Sequence, residues 1–402
     1  MSSLLIFVLF VAVLVLLQAV AALPWLLVLT RRPWKVWLQG TALVLAVIVA
    51  FRLVRLILPM TWATDTVVEF LGRVYGSVLH LQLLADLFVG VFALLLKFWP
   101  KGAAVALAAF REGIRQPMFW LLLLAAVAFM VIVPFVPYFT FGEDYLMVKE
   151  LGQDIIMLMA VVFGAMLAST SISEEIEGRT AVTLMSKPVS RRQFLLGKYA
   201  GILLAALVIT VLLGWFFDWM LLFKRWYDQV DPVPFPTAAA SFLHKVAREP
   251  ERFAFLRGAS WWVFDAAEVM PGLVLGFGQV MVLLAVAVCL ATRLPVAANV
   301  TTCAVVYIVS HLSPILLASA SYRAQAEPAG ESTVTRMLLF VAQVFDRVLP
   351  ALQLNKPTQI TDAPAPLADM AVYAGEVTLY SLLYTAIVLL FGLVLFEDRD
   401  LA

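Results

Sequence analysis

Charged residues are scarce in this chain: Asp, Glu, Lys and Arg make up 14% of its 402 residues, where soluble domains carry about a quarter. Hydrophobic residues make up 63% and the mean hydropathy is +0.97. A water-soluble core cannot bury that much apolar surface unless nearly every helix is internal, so a soluble globular fold is excluded. A net charge of +1 offers no polycationic face, which removes nucleic acid as a partner. Cysteine is rare as well. Cys289 and Cys303 lie in apolar stretches, outside any metal-ligand spacing, and read as small core residues. The three histidines, His80, His244 and His311, are scattered. No G-x-x-x-x-G-K-[ST] run occurs, so this chain cannot cradle nucleotide phosphates by itself. Nor does it carry His-Glu-x-x-His, Gly-x-Ser-x-Gly or paired intramembrane aspartates, which argues against an intramembrane protease or lipase. No catalytic residue and no metal site are expected.

What the chain has in abundance is long apolar runs. About 20 apolar residues at 1.5 Å each cross roughly 30 Å of hydrocarbon. Nine segments meet that measure: Leu4 to Leu29, Val36 to Leu58, His80 to Phe98, Met118 to Val136, Ile155 to Ser171, Tyr199 to Phe217, Met270 to Ala291, Val296 to Ala318 and Val372 to Phe396. They show no apolar–polar alternation and exceed strand length, so the expected fold is all-α, a polytopic bundle of about nine spans. The first run lacks a basic leader and reads as a span, not a signal peptide.

The short connections set the orientation. Arg31 to Lys35, Lys97 to Arg115, Arg179 to Lys198, Arg293 and the tail around Arg399 hold half of the 28 lysines and arginines. Basic residues are about twice as dense on that side, which the positive-inside rule makes cytoplasmic. The C-terminus is then inside, the N-terminus outside, and the setting a plasma or inner membrane. Two long outward loops are expected, 218–269 and 319–371. The second contains an apolar piece, 337–352, which is broken by Asp346 and Arg347 and reads as interfacial or re-entrant, not as a tenth span.

The polar residues of the inner side concentrate in one place, Ser173 to Gly201 (SEEIEGRTAVTLMSKPVSRRQFLLGKYAG). Glu174, Glu175 and Glu177 leave the membrane and Gly178 breaks the run. Arg179 and Thr180 lead into a short apolar-faced turn containing Leu184, which Pro188 stops. Ser190 can cap the following helix, while Arg191, Arg192 and Lys198 are expected to meet headgroups. Ala181, Val182, Leu184 and Met185 place apolar side chains where water would otherwise be, which suggests a docked protein surface.

Upstream, Lys101 to Pro117 reads as an amphipathic helix in the cytoplasmic interface. Val105, Leu107, Phe110 and Ile114 form its apolar face and Arg111, Glu112 and Arg115 its polar one. Gly272, Gly276 and Gly278, and likewise Gly197 and Gly201, read as close-packing faces. Inside the spans, Asp86 and His311 are the polar residues of interest. A buried carboxylate at Asp86 needs a partner, either Arg52 or Arg55 in a structural pair or a transported proton or cation. His311 reads as a satisfied interior histidine before a ligand.

The segments FREGIRQPMFW, EEIEGRTAVTLMSKPVSRRQFLLGKYAG, LATRLPVAANV and LFEDRDL together resemble the membrane subunit of ABC-2 type exporters. The likeness is to permeases with separate ATPases in the nitrous-oxide-reductase maturation and gliding-motility groups, and it covers Ala103 to Ala402. The resemblance implies a six-helix permease domain over 101–402, an elbow helix at 103–116 and a coupling helix at 173–192. It also implies a dimer, with a second or homologous permease, working on ATPase subunits that carry the ATP and Mg. Residues 1–100 would be an added three-helix membrane segment, and the long outward loops leave room for an extracytoplasmic accessory protein. On this reading the chain needs no cofactor of its own and is not an enzyme. Two other classes stay open: an ion-coupled secondary transporter, for which no internal repeat is visible, and a non-transporting membrane scaffold.

Overall fold

The computed structural model describes residues 16–22, 65–136, 144–177, 189–228, 237–246, 250–326, 333–355 and 367–397. Ten helices carry most of these residues. They are α1 (Asp65–Phe98), α2 (Pro100–Arg115), α3 (Pro117–Ile132), α4 (Asp144–Glu177), α5 (Arg191–Tyr227), α6 (Thr237–Val246), α7 (Pro250–Ala291), α8 (Val296–Ala326), α9 (Thr333–Val348) and α10 (Leu367–Glu397). Short 3-10 turns follow α3 at Val133–Phe135 and α9 at Leu352–Asn355. No strand occurs among the described residues. The protein is an all-α, multi-pass bundle.

Among the described residues, seven helices are long and apolar enough to cross a membrane. Each covers all or nearly all of one of the expected runs from His80 to Phe98 onward. The two earlier runs, Leu4 to Leu29 and Val36 to Leu58, lie outside the described residues except for the helical stretch 16–22.

Prolines set the joint between α2 and α3. Pro100 and Pro117 begin these helices, where a missing N–H costs nothing. Gln116 between them is extended (φ −65°, ψ 137°), as a residue preceding proline must be. Among the described residues, the two long loops 218–269 and 319–371 are largely helical. α5 runs on to Tyr227 and α7 starts at Pro250, so 218–269 contributes two helix extensions and α6. Proline at the first helical position and the apolar residues of Trp261 to Phe264 allow that extension to form and pack. The apolar piece of the second loop is α9, 16 residues long and thus about 24 Å, too short to span. It packs against α8, with Ser313 donating to Asp346 Oδ1 at 3.3 Å.

The helices form two compact units: Met1–Leu94 with Asp231–Glu268, and Leu95–Val230 with Val269–Ala402. In the first unit α1 meets the start of α7 through glycines. A Cβ at Gly72 would overlap the Phe255 backbone, and one at Gly258 the Glu69 backbone. Charge pairs flank this approach. Arg73 Nη1 lies 3.1 Å from Asp265 Oδ2, and Arg257 Nε donates to Glu69 Oε2 at 3.0 Å. Trp262 is buried, with its indole N–H 3.4 Å from His80 Nδ1.

The second unit is built around α5. Its neighbours pack through small residues again: Gly152 of α4 faces the Phe217 ring, Gly164 faces Leu284, and Gly276 of α7 faces Met157. Phe119 and Phe163 stack edge to face at 5.5 Å. Cys289 and Cys303 are buried in this core. The glycines of both expected faces do permit close approach. Gly272 abuts Gln153 and Gly278 abuts Asn355 and Ser381, while Gly197 and Gly201 receive the backbone of α2 at Gly102 and Ala106.

Candidate functional site

One end of the second unit carries the ends of α2, α4, α5, α7 and α10 together. α5 starts there by an N-terminal capping box. The Ser190 hydroxyl accepts from the Gln193 N–H at 3.2 Å, and the Gln193 side chain accepts from the Ser190 N–H at 3.2 Å. That reciprocal cap fixes where the chain from α4 re-enters the bundle.

The first turns of α5 then hold three other elements. Lys198, expected among headgroups, is instead only 4% exposed. Its Nζ donates to Glu175 Oε1 at 2.6 Å and to the Ser171 hydroxyl at 2.8 Å, and lies 3.6 Å from Glu112 Oε2. Ser171 donates onward to Glu112 Oε2 at 3.0 Å. Burying an ammonium is costly unless acceptors surround it, and two carboxylates and a hydroxyl do so here. The reason Lys198 does not snorkel is local. Gly197 and Gly201 bring α2 so close that the lysine stem is enclosed, and Glu112 of α2 and Glu175 of α4 converge on its head.

The face that α2 buries is also different from the expected one. Ala103, Ala106, Ala109 and Gly113 are buried, whereas Val105, Phe110 and Ile114 are half-buried and Arg111, Glu112 and Arg115 exposed. Small residues win the contact because α5 offers glycines there, and backbones approach only where side chains are small.

The other anchor is the end of α10. Arg191 Nη1 donates to the Phe396 carbonyl at 3.1 Å and the Glu397 carbonyl at 2.7 Å. Arg293 Nη2 donates to the Leu395 carbonyl at 2.7 Å. Carbonyls at a helix C-terminus have no partner within the helix, and guanidinium groups both satisfy them and oppose the dipole. Arg192 Nε meets Glu397 Oε1 at 2.9 Å, and the Phe194 and Phe396 rings stack at 5.9 Å. At the same end, the Ser173 hydroxyl reaches the Ala291 and Leu294 carbonyls at 3.2 and 3.1 Å, tying α4 to the α7–α8 break.

Of the residues singled out in sequence, Glu112, Glu175, Arg191 and Arg192 thus lie in one network of contacts centred on the start of α5. Glu174 and Glu177 lie within α4, while Gly178, Arg179, Thr180, Leu184 and Pro188 fall outside the described residues. Asp86 and His311 belong to different units. Asp86 Oδ2 is buried with no hydrogen-bond partner among the described residues, and Arg52 and Arg55 lie outside them. His311 Nδ1 donates to the Tyr307 carbonyl one turn back at 2.9 Å. Sequence reasoning placed Lys198 among the headgroups and Arg293 in a basic connection, and missed their partners Ser171 and the carbonyls of Leu395 to Glu397. The usable signal was a lysine set between two packing glycines, Gly197-Lys198-Tyr199-Ala200-Gly201.

Among the described residues, no group of three or more His, Cys, Asp or Glu could hold a metal ion. The model of the family described as ABC-2 family transporter protein matches residues 103–401. No curated protein matches the chain.

Proposed function

The chain belongs to the ABC-2 transporter family, and from that premise we propose that it is the permease subunit of an exporter whose ATP is hydrolysed on a separate chain. It is a multi-pass membrane component of transport, and membership in the family carries that much. The finer reading is ours. A partner ATPase, with its ATP and Mg, docks on the hairpin between α4 and α5, around 173–192. Closure of the ATPase pair pushes the hairpin, and two permease domains, each about 101–402, tilt to release substrate outward. The hairpin side is cytoplasmic, as its basic residues require, and the membrane is the plasma or inner membrane. Residues 1–100 are an added membrane segment, and an extracytoplasmic accessory protein would meet the outward-facing helices.

The observation that carries this reading is the anchoring of both hairpin roots. Before the hairpin, Glu175 is held by Lys198; after it, Arg191 grips the end of α10. A push on the segment between them is delivered to α2, α4, α5 and α10 instead of being lost in a loose loop.

The test is whether an ABC ATPase subunit co-purifies with the intact chain from its own cells, followed by ATP hydrolysis of the pair in lipid. Leu184→Asp in the apolar part of the hairpin should abolish capture of the ATPase and leave thermal unfolding of the permease unchanged. An intact permease that captures no ATPase, together with ATP hydrolysis indifferent to Leu184→Asp, would reject the proposal.

A further inference from the structure

The elbow helix α2 and the hairpin are far apart in sequence, yet both end on one ammonium. Lys198 Nζ sits between Glu112 Oε2 of α2 at 3.6 Å and Glu175 Oε1 of α4 at 2.6 Å, with Ser171 bonded to both Lys198 and Glu112. We propose that Lys198 is a positioning residue that joins α2 to the hairpin root as one mechanical unit, so that the interfacial helix moves whenever the hairpin moves. The proposal rests on the reading of the hairpin as the input site, but its structural content is independent of it.

Three features make Lys198 a joint and not filler. Its side chain is buried while Glu112 is 42% exposed and Glu175 25% exposed, so the lysine carries the desolvation cost and the carboxylates lead outward to their two helices. Gly197 and Gly201 bracket it and hold α2 against α5 by backbone contact, so α2 cannot back away without opening the lysine to water. The charge balance is the third. Removing the cation leaves two carboxylates facing each other across Ser171, a repulsion that parts α2 from α4. α2 carries Lys101, Arg111 and Arg115 on its exposed side, so its motion would be felt where basic side chains meet a membrane surface.

The experiment is hydrogen exchange on the whole chain in lipid nanodiscs, reading the amides of α2 and of the last turns of α4. Lys198→Met keeps length and apolar stem but removes the charge. Exchange is expected to rise roughly ten- to hundredfold in both segments, the range set by losing a hydrogen bond to a charged group. Glu112→Gln should raise exchange in α2 alone and Glu175→Gln at the end of α4 alone, whereas Lys198→Arg should stay near the wild type. Should Lys198→Met not fold, the two carboxylate variants carry the test by themselves. Exchange in α2 that is unchanged by both Lys198→Met and Glu112→Gln overturns the proposal, because a residue that only fills space would behave that way. No ATPase is present in this measurement. Failure to capture one would sink the functional reading and leave this joint standing, and the reverse holds as well.

Discussion

Asn355 Nδ2 donates to the Ser381 hydroxyl at 3.0 Å and to the Leu275 carbonyl at 2.9 Å, in a space that exists because residue 278 is glycine. The 3-10 turn after α9 is thereby pinned to α7 and α10 at once. A Cβ at position 278 would strike both the asparagine amide and the serine hydroxyl. Gly278→Ala is therefore expected to break two bonds, and Ser381→Ala only one. Interhelical hydrogen bonds in membrane proteins are worth about 0.6 kcal/mol on average and at most about 1.7 kcal/mol. Unfolding in detergent should place Gly278→Ala below Ser381→Ala in stability. The opposite order would mean that Asn355 can leave without cost.

The same turn is held by three tyrosines of α10. Tyr373 donates to the Leu354 carbonyl at 2.7 Å, Tyr384 donates to the Val348 carbonyl at 3.0 Å, and the Tyr380 hydroxyl accepts from the Ala351 N–H at 2.9 Å. Non-helical backbone beside spanning helices needs such partners, since lipid supplies none. Replacing each by Phe is expected to have unequal effects. Tyr380→Phe strands an N–H, which has one bond to make, while the other two free a carbonyl that keeps a second lone pair. Hydrogen exchange at Ala351 should rise most in Tyr380→Phe. Equal exchange in all three variants would show that the turn does not depend on these hydroxyls.

Much of this architecture is readable from the chain. Spans from His80 onward declare themselves by length and apolarity, and the joint at Gln116-Pro117 by the conformational limits of proline. The glycine faces at 197–201 and 272–278 are visible too, because small residues at helical spacing have few other uses inside a membrane. What stays hidden depends on contacts between distant segments. Lys198 looks like a headgroup lysine until Glu112 and Glu175, from two other helices, converge on it. The buried face of α2 is concealed for the same reason: Val105, Phe110 and Ile114 are the greasier residues, but the small ones, Gly102, Ala103, Ala106, Ala109 and Gly113, are buried and let α5 come close. The start of α7 escapes a hydropathy scan because Arg257 and Asp265, which pair with Glu69 and Arg73 of α1, dilute its apolar signal.

The arginines at the end of α10 differ in what they hold. Arg191 bonds to two backbone carbonyls and lies over the Phe396 ring at 5.9 Å, whereas Arg192 meets the exposed Glu397 carboxylate. Arg191→Ala is expected to fray the last turn of α10 at a cost of about 1–2 kcal/mol locally. Arg192→Ala should cost under about 0.5 kcal/mol, as exposed ion pairs do. Limited proteolysis after Leu395 checks the contrast. Cleavage that is equally fast in both variants would count against the carbonyl grip.

Ion pairs of one chemistry should also rank by burial. Arg73 and Asp265 are 16% and 14% exposed, against 70% and 46% for Arg192 and Glu397. Coulomb attraction between exposed groups is screened by water and salt, so the outer pair gains little. The inner pair is shielded, and Arg73 also lies 5.5 Å over the Trp261 ring, which holds its guanidinium in place. Double-mutant cycles to alanine are expected to give a coupling of about 1–2 kcal/mol for Arg73–Asp265 and under about 0.5 kcal/mol for Arg192–Glu397. Raising salt from 0.1 to 0.5 M should weaken the second further and change the first little. If the Arg73–Asp265 coupling is no larger than that of the exposed pair, α1 is held to α7 by the glycine contacts at Gly72 and Gly258, with the charges contributing only register.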